Sequence, residues 1–184
     1  MKRAITIATV LLVAGFEAIA QQPLLSPRDS VEISFNGKKI SVNYGRPSMR
    51  GRKIMGGLVP YDKVWRTGAN EATAFVTEAD LVIEGVAVPK GSYTLYTLPS
   101  DKQWKLIINK QTGQWGTVYN QDRDLTRIPM RKRTLREPVE KFTILLEKNS
   151  NSAGALRLVW EKTSLLVNFQ VKKEQPTTRK NTSK

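Results

Sequence analysis

The chain contains neither cysteine nor histidine, and each absence removes a class of chemistry. Without thiols there is no disulfide framework and no thiolate metal site, so stability must come from packing. Without imidazole, the commonest general base and metal ligand near neutral pH, Ser-His-Asp triads, Cys-His dyads and His-ligated zinc are excluded. Any catalysis would rest on carboxylates, Lys, Tyr, Ser or Thr. Acid is also scarce, with 16 Asp and Glu against 30 Lys and Arg, a formal charge of +14. No repeat of the length that builds solenoids or propellers is present. The apolar run from Ala4 to Phe16 covers about 13 residues, short of the roughly 20 that cross a bilayer.

That run has the form of a secretory signal. Lys2 and Arg3 precede it, and Ala18-Ile19-Ala20 supplies the small-x-small pattern that predicts cleavage before Gln21. No cysteine follows to carry a lipid. The expected organisation is a signal peptide over 1–20, a linker over 21–29, one β domain over 30–172 and a disordered basic tail over 173–184. The expected location is periplasmic or secreted, with no membrane span after cleavage. Losing Lys2, Arg3 and Glu17 lowers the charge by one unit, and the excess that remains favours anionic partners. Export points away from nucleic acid and toward an acidic glycan or another envelope polyanion. No pattern fixes an oligomeric state.

Period-two patterning dominates the rest. Val31, Ile33 and Phe35 alternate with polar residues, Asn36-Gly37 follows, and Ile40, Val42 and Tyr44 resume the alternation. Asn-Gly between two such runs predicts a hairpin, since both turn positions need φ > 0. Further strands are predicted at 73–77, 81–84, 92–98 and 104–109, with turns at Pro89-Lys90-Gly91 and Pro99-Ser100-Asp101-Lys102. Val139 to Glu147 reads as a strand, Asn149 to Gly154 as a turn, and Ala155 to Lys162 as pairing with Ser164 to Lys172. The fold class is therefore all-β, a single-domain antiparallel β-sandwich or jelly-roll-like barrel. Residues 45–70 break the rhythm with glycines and prolines, and form one long irregular loop, functional or packed. Residues 111–124 form a second irregular piece.

The string YGRPSMRGRKIMGGLVPYDKVWRTGANEATA over 44–74 resembles a bacterial family, domain of unknown function 2911, whose members are typically exported. Pro89 to Pro99, Trp104 to Lys110, Gln114-Trp115-Gly116 and Val159-Trp160-Glu161 fit the same resemblance, which runs from about Ser30 to Val171. It implies export and one compact domain, and no activity. Asp62 stands where similar sequences often have Gly, and Met55 where an aromatic is commoner.

The 45–70 loop carries the strongest functional signal. Arg46, Arg50, Arg52, Lys53 and Arg66 are interleaved with Tyr44, Tyr61 and Trp65. Arginine forks suit carboxylate or phosphate, and aromatic faces suit sugar rings. Arg46, Arg52, Arg66 and Asn70 are the candidate lining of an anion-accepting pocket, with Tyr61 and Trp115 as its aromatic faces and the Trp115–Tyr119 segment beside it. The competing account makes Trp65 and Tyr61 core anchors and pairs Arg66 with Glu71 or with backbone carbonyls. Asn120, Asp122 and Asp124 alternate like the start of a calcium loop, but Leu125 stands where its Gly belongs, and no metal or cofactor is assigned. Arg127, Arg131 and Arg133 share a face if their stretch is one extended edge strand. Glu71 with Glu78, and Glu161 with Glu147 or Glu84, are the pairs a carboxylate-based glycan hydrolase would need. A ligand-binding module is favoured over that hydrolase, with a structural envelope protein as the third reading.

Overall fold

The structure is a computed structural model that describes residues 25–173. The expected signal peptide, the first four residues of the linker, and the tail beyond Lys173 lie outside the described residues. Ten strands follow one another: β1 (Arg28–Phe35), β2 (Lys38–Gly45), β3 (Thr73–Thr77), β4 (Leu81–Ile83), β5 (Val86–Val88), β6 (Gly91–Leu98), β7 (Lys105–Asn109), β8 (Asp124–Pro129), β9 (Arg131–Lys148) and β10 (Ala153–Val171). They form a six-stranded antiparallel sheet in the order β1-β2-β3-β6-β7-β8 and a four-stranded one in the order β5-β4-β10-β9. The sheets do not close on themselves, so the architecture is the sandwich and not the barrel. Among the described residues no helix is long and apolar enough to cross a membrane.

Alternation builds the core as the sequence predicts. Ile40, Val42 and Tyr44 of β2, Phe75 of β3, and Phe142, Ile144 and Leu146 of β9 are all buried, while their neighbours along the strands face outward. The Asn36-Gly37 hairpin is present, with φ of 49° and 78° and Phe35 opposite Lys38. A second two-residue turn, Glu84-Gly85, joins β4 to β5 with φ of 45° and 86°. Glu84 disguises it, because glutamate seldom takes positive φ. Its carboxylate compensates, accepting from the Asn168 N–H at 2.7 Å and pairing with Arg131 at 3.3 Å.

Two expectations are corrected. Residues 155–162 and 164–171 do not form a hairpin; they belong to one continuous strand, β10, paired with β9 as far as Leu166 and, near its end, with β4. The core-facing set changes phase within it, from Leu156, Leu158 and Trp160 to Leu165, Val167 and Phe169. The cause is an irregularity at Glu161, where φ is 51° and the register with β9 shifts. One extra residue flips the alternation, and both halves then bury their apolar face. The basic stretch over 125–133 is likewise not one strand. It breaks at the buried Met130, leaving Arg127 on β8 of one sheet and Arg131 and Arg133 on β9 of the other. Both strands are outermost in their sheets, as an edge reading requires.

Candidate functional site

The excursion between β2 and β3 is packed down, not loose. Ile54 and Val59 within it are fully buried, Ser48 bridges to Lys141 of β9, and Trp65 pairs with Thr97 of β6 through two backbone hydrogen bonds of 2.8 and 2.9 Å. Trp65 also enters an aromatic cluster, stacking on Trp160 at 5.8 Å and meeting Phe142 edge-on at 5.0 Å. It is thus the core anchor the competing account describes.

Immediately after Trp65 the backbone is forced into rare geometry. Thr67 is wholly buried with φ of 53°, a conformation that a β-branched residue avoids. Its carbonyl accepts from the Thr73 hydroxyl at 2.8 Å, and its own hydroxyl meets Thr97 Oγ1 at 3.2 Å. Asn70 also has positive φ, 61°, and its carbonyl accepts from the Gly116 N–H at 3.0 Å. These contacts tie the Arg66–Asn70 turn to β3 and β6 on one side and to the segment after β7 on the other. Asp62, with φ of 60°, supplies the physical reason for glycine at that position in similar sequences.

The segment after β7 lies across the outer face of the six-stranded sheet, held by side chains that rise from the strands. Thr94 donates to the Gln111 carbonyl at 2.7 Å, Asn109 donates to the Asn120 carbonyl and to Asp124 at 2.8 Å each, and the Tyr96 hydroxyl donates to the Val118 carbonyl at 2.8 Å. Tyr119 donates to Asp124 Oδ2 at 2.6 Å and accepts from Arg127 at 2.8 Å. Burial, with the Asp124 carboxylate next to it, pushes the Tyr119 phenol up to about 12. Tyr119 therefore stays neutral across physiological pH, with its ring 4.9 Å from that of Tyr96.

Between these two irregular pieces opens a cleft of about 460 Å³. Trp65 and Trp160 form one wall and Tyr96 and Tyr119 another; Arg52, Arg66, Asn70 and Thr117 supply polar groups, and Leu25 and Leu58 border it. Arg66 is fixed from two sides. Its Nε donates to the Gly68 carbonyl at 3.2 Å, and its stem lies so close to Gly116 that a Cβ there would stand 2.6 Å from Cδ. Among the described residues its two terminal nitrogens have no partner.

The structure thus gathers Arg52, Arg66 and Asn70 on one cleft and leaves Arg46, Tyr61 and Trp115 off its lining. Arg46 is spent on the fold: it reaches the Phe142 carbonyl at 3.2 Å, Thr143 Oγ1 at 3.0 Å and Asp29 at 3.3 Å. Arg52 donates to the carbonyls of Met49 and Ser48. Tyr61 lies against Gly56, and Trp115 is half exposed beside Gly116. Sequence reasoning missed Tyr96 and Trp160. The signal for Tyr96 is the run Tyr93-Thr94-Leu95-Tyr96-Thr97, where alternation fails because β6 is buried on both faces.

The carboxylates stand apart. Glu71 and Glu78 flank opposite ends of β3, and Glu71 pairs with Arg28 at 3.2 Å, not with Arg66. Glu147 forms a two-pronged pair with Arg157, which lowers its pKa, the reverse of what a general acid needs. Glu161 accepts from the Met55 N–H at 3.1 Å and Glu84 holds its turn. Asp124, the third residue of the calcium-like alternation, is already committed to Asn109, Tyr119 and Arg127.

Residues 26–169 match the family model described as protein of unknown function, DUF2911. The chain belongs to that family. No curated protein and no solved structure matches it. For this DUF2911 chain the chemistry of the cleft must therefore be argued from its own residues. The matched span takes in both irregular pieces that build the cleft, together with nine complete strands and nearly all of β10.

Proposed function

We propose that this DUF2911 chain is an exported binding module that takes an anionic saccharide in the cleft between its two irregular segments. The observation that carries the reading is Arg66: a guanidinium immobilised by Gly68 and Gly116, with two terminal nitrogens uncommitted among the described residues, on a cleft walled by Tyr96 and Tyr119. A fixed fork recognises a carboxylate or phosphate in bidentate fashion, and the half-buried rings of Trp65 and Tyr119, backed by the buried Trp160 and Tyr96, suit the face of a sugar ring. The cleft volume falls in the range of small-molecule sites. A glycan hydrolase is less well supported, because each carboxylate considered for it already holds a separate partner.

The test is a thermal-shift and calorimetric titration with oligogalacturonate, with neutral oligosaccharides of equal length alongside. A ligand of the folded state raises the melting point by mass action. The expected result is a rise with the acidic sugar that Arg66→Met removes while the unliganded melting point is nearly unchanged. Equal response to neutral and acidic sugars, or none to either, would end the proposal.

A further inference from the structure

Among the described residues six large hydrophobic side chains are exposed: Leu25, Leu58, Val76, Trp115, Val118 and Leu145. Four of them gather at one place. Leu25 and Leu58, 71% and 46% exposed, line the cleft, and Trp115 and Val118, each 50% exposed, flank Gly116-Thr117, which also line it. Isolated exposed apolar residues need no explanation, but a group around the mouth of a polar cleft marks an interaction surface. Each is held in place by its backbone: Trp115 bridges to Glu71, the Val118 carbonyl receives Tyr96, the Leu25 carbonyl receives Arg50 at 2.8 Å, and the Leu58 N–H donates to the Lys53 carbonyl at 3.1 Å.

The excursion that supplies Leu58 to the cleft is also cationic. Arg50, Arg52, Lys53 and Lys63 are all exposed on the excursion that carries Leu58. Among the described residues Lys53 and Lys63 have no ion-pair partner. An exposed tryptophan with aliphatic neighbours and a surround of Lys and Arg is the composition that lies in the headgroup region of a negatively charged bilayer, rings and methyl groups inserted and cations on phosphates.

We infer that the mouth of the cleft docks on an anionic lipid bilayer, so that the anionic group reaching Arg66 is carried on a lipid headgroup. The inference rests on the binding reading above and names the source of its ligand. Docking by Leu25, Leu58, Trp115 and Val118 turns the opening toward the membrane, and a ligand can pass from the bilayer to Arg66 without crossing open water.

The experiment is co-sedimentation of the purified protein with vesicles of phosphatidylcholine alone and of phosphatidylcholine with phosphatidylglycerol in equal parts, at low and high salt. Of the four tryptophans, Trp104 and Trp160 are buried and Trp65 is half-buried in the cleft wall, so the part of any blue shift of tryptophan emission that Trp115→Phe removes reports on Trp115. The expected result is binding only to the phosphatidylglycerol vesicles, weakened by salt, with a blue shift, and reduced by about tenfold or more in Trp115→Ala/Val118→Ser, neither of which lines the cleft. That double variant should keep both its melting point and its response to soluble oligogalacturonate. Equal binding to both vesicle types, no binding, or unaltered binding by the double variant would overturn the inference. So would a protein dimer that the double variant dissociates, since a second copy would then be the occupant. Failure here with a persisting oligogalacturonate response would leave the binding reading standing; loss of that response as well would remove both.

Discussion

Gly116 and Arg66 are in such close contact that a single added methyl group cannot be accommodated: a Cβ on Gly116 would lie 2.6 Å from Arg66 Cδ and 2.6 Å from the Asn70 carbonyl oxygen. Two segments far apart in sequence are thereby locked face to face, and the guanidinium is aimed by a residue with no side chain. Gly116→Ala should destabilise the protein by roughly 1–3 kcal/mol, the usual cost of overpacking. Its effect on acidic-sugar affinity should exceed its effect on stability, because Arg66 must move. Chemical denaturation alongside calorimetric titration of the same variant checks both halves.

Arg46 and Arg66 should separate cleanly by substitution. Arg46→Met removes bonds to Phe142, Thr143 and Asp29, and should cost about 1–3 kcal/mol as charged hydrogen bonds are lost. The liganded shift in melting point should survive in it. Arg66→Met should do the reverse.

Trp160 is 2% exposed, stacks on Trp65 and donates to the Glu140 carbonyl at 3.1 Å. Trp160→Ala should lose about 3–5 kcal/mol, the range for truncating a buried tryptophan. It should also enlarge the cleft and abolish saccharide binding. Urea unfolding with an unchanged m-value would show that the fold persists while its stability falls.

Acid should act through Glu147. Its folded pKa lies below the ordinary carboxylate value because Arg157 bonds it, so its stabilising contribution is present above the unfolded pKa and is lost as pH falls through the lower folded value. Glu147→Gln should be less stable at neutral pH and should lose less stability on acidification, as melting points across that window will read.

Alkali should act through Tyr119 with the opposite sign. Its folded pKa of about 12 lies above the unfolded value of 10.0. Its contribution is therefore complete below pH 10 and declines as pH rises through the folded value. Tyr119→Phe should flatten that alkaline decline relative to the parent, and phenolate absorbance should lose the corresponding high-pH step.

Much of the sandwich was legible because its cause is local. Asn36-Gly37 announces its hairpin by turn chemistry, and Val42 and Phe75 announce their burial by alternation. Where local chemistry misleads, so does the sequence. Glu84 conceals a tight turn since its positive φ is sustained by Asn168 and Arg131, residues distant in the chain. The phase change at Glu161 imitates a break between two strands, and only pairing with β9 on both sides shows one strand with an irregularity. In the site, Arg52, Arg66 and Asn70 could be named from composition, whereas Tyr96 is signalled only by the failed alternation of β6 and Trp160 lies in a run indistinguishable from ordinary strand.

The sequence by itself determined an all-β fold without thiol or imidazole chemistry, and a cationic, glycine-punctuated excursion, because residue type and short-range spacing encode those properties. Tertiary structure alone decided which arginine serves the fold and which faces the cleft. A guanidinium has the same donors wherever it stands; its role depends on whether carbonyls and carboxylates from remote strands arrive to occupy them. They arrive at Arg46 from β1 and β9, whereas at Arg66, among the described residues, only the neighbouring Gly68 carbonyl is bonded.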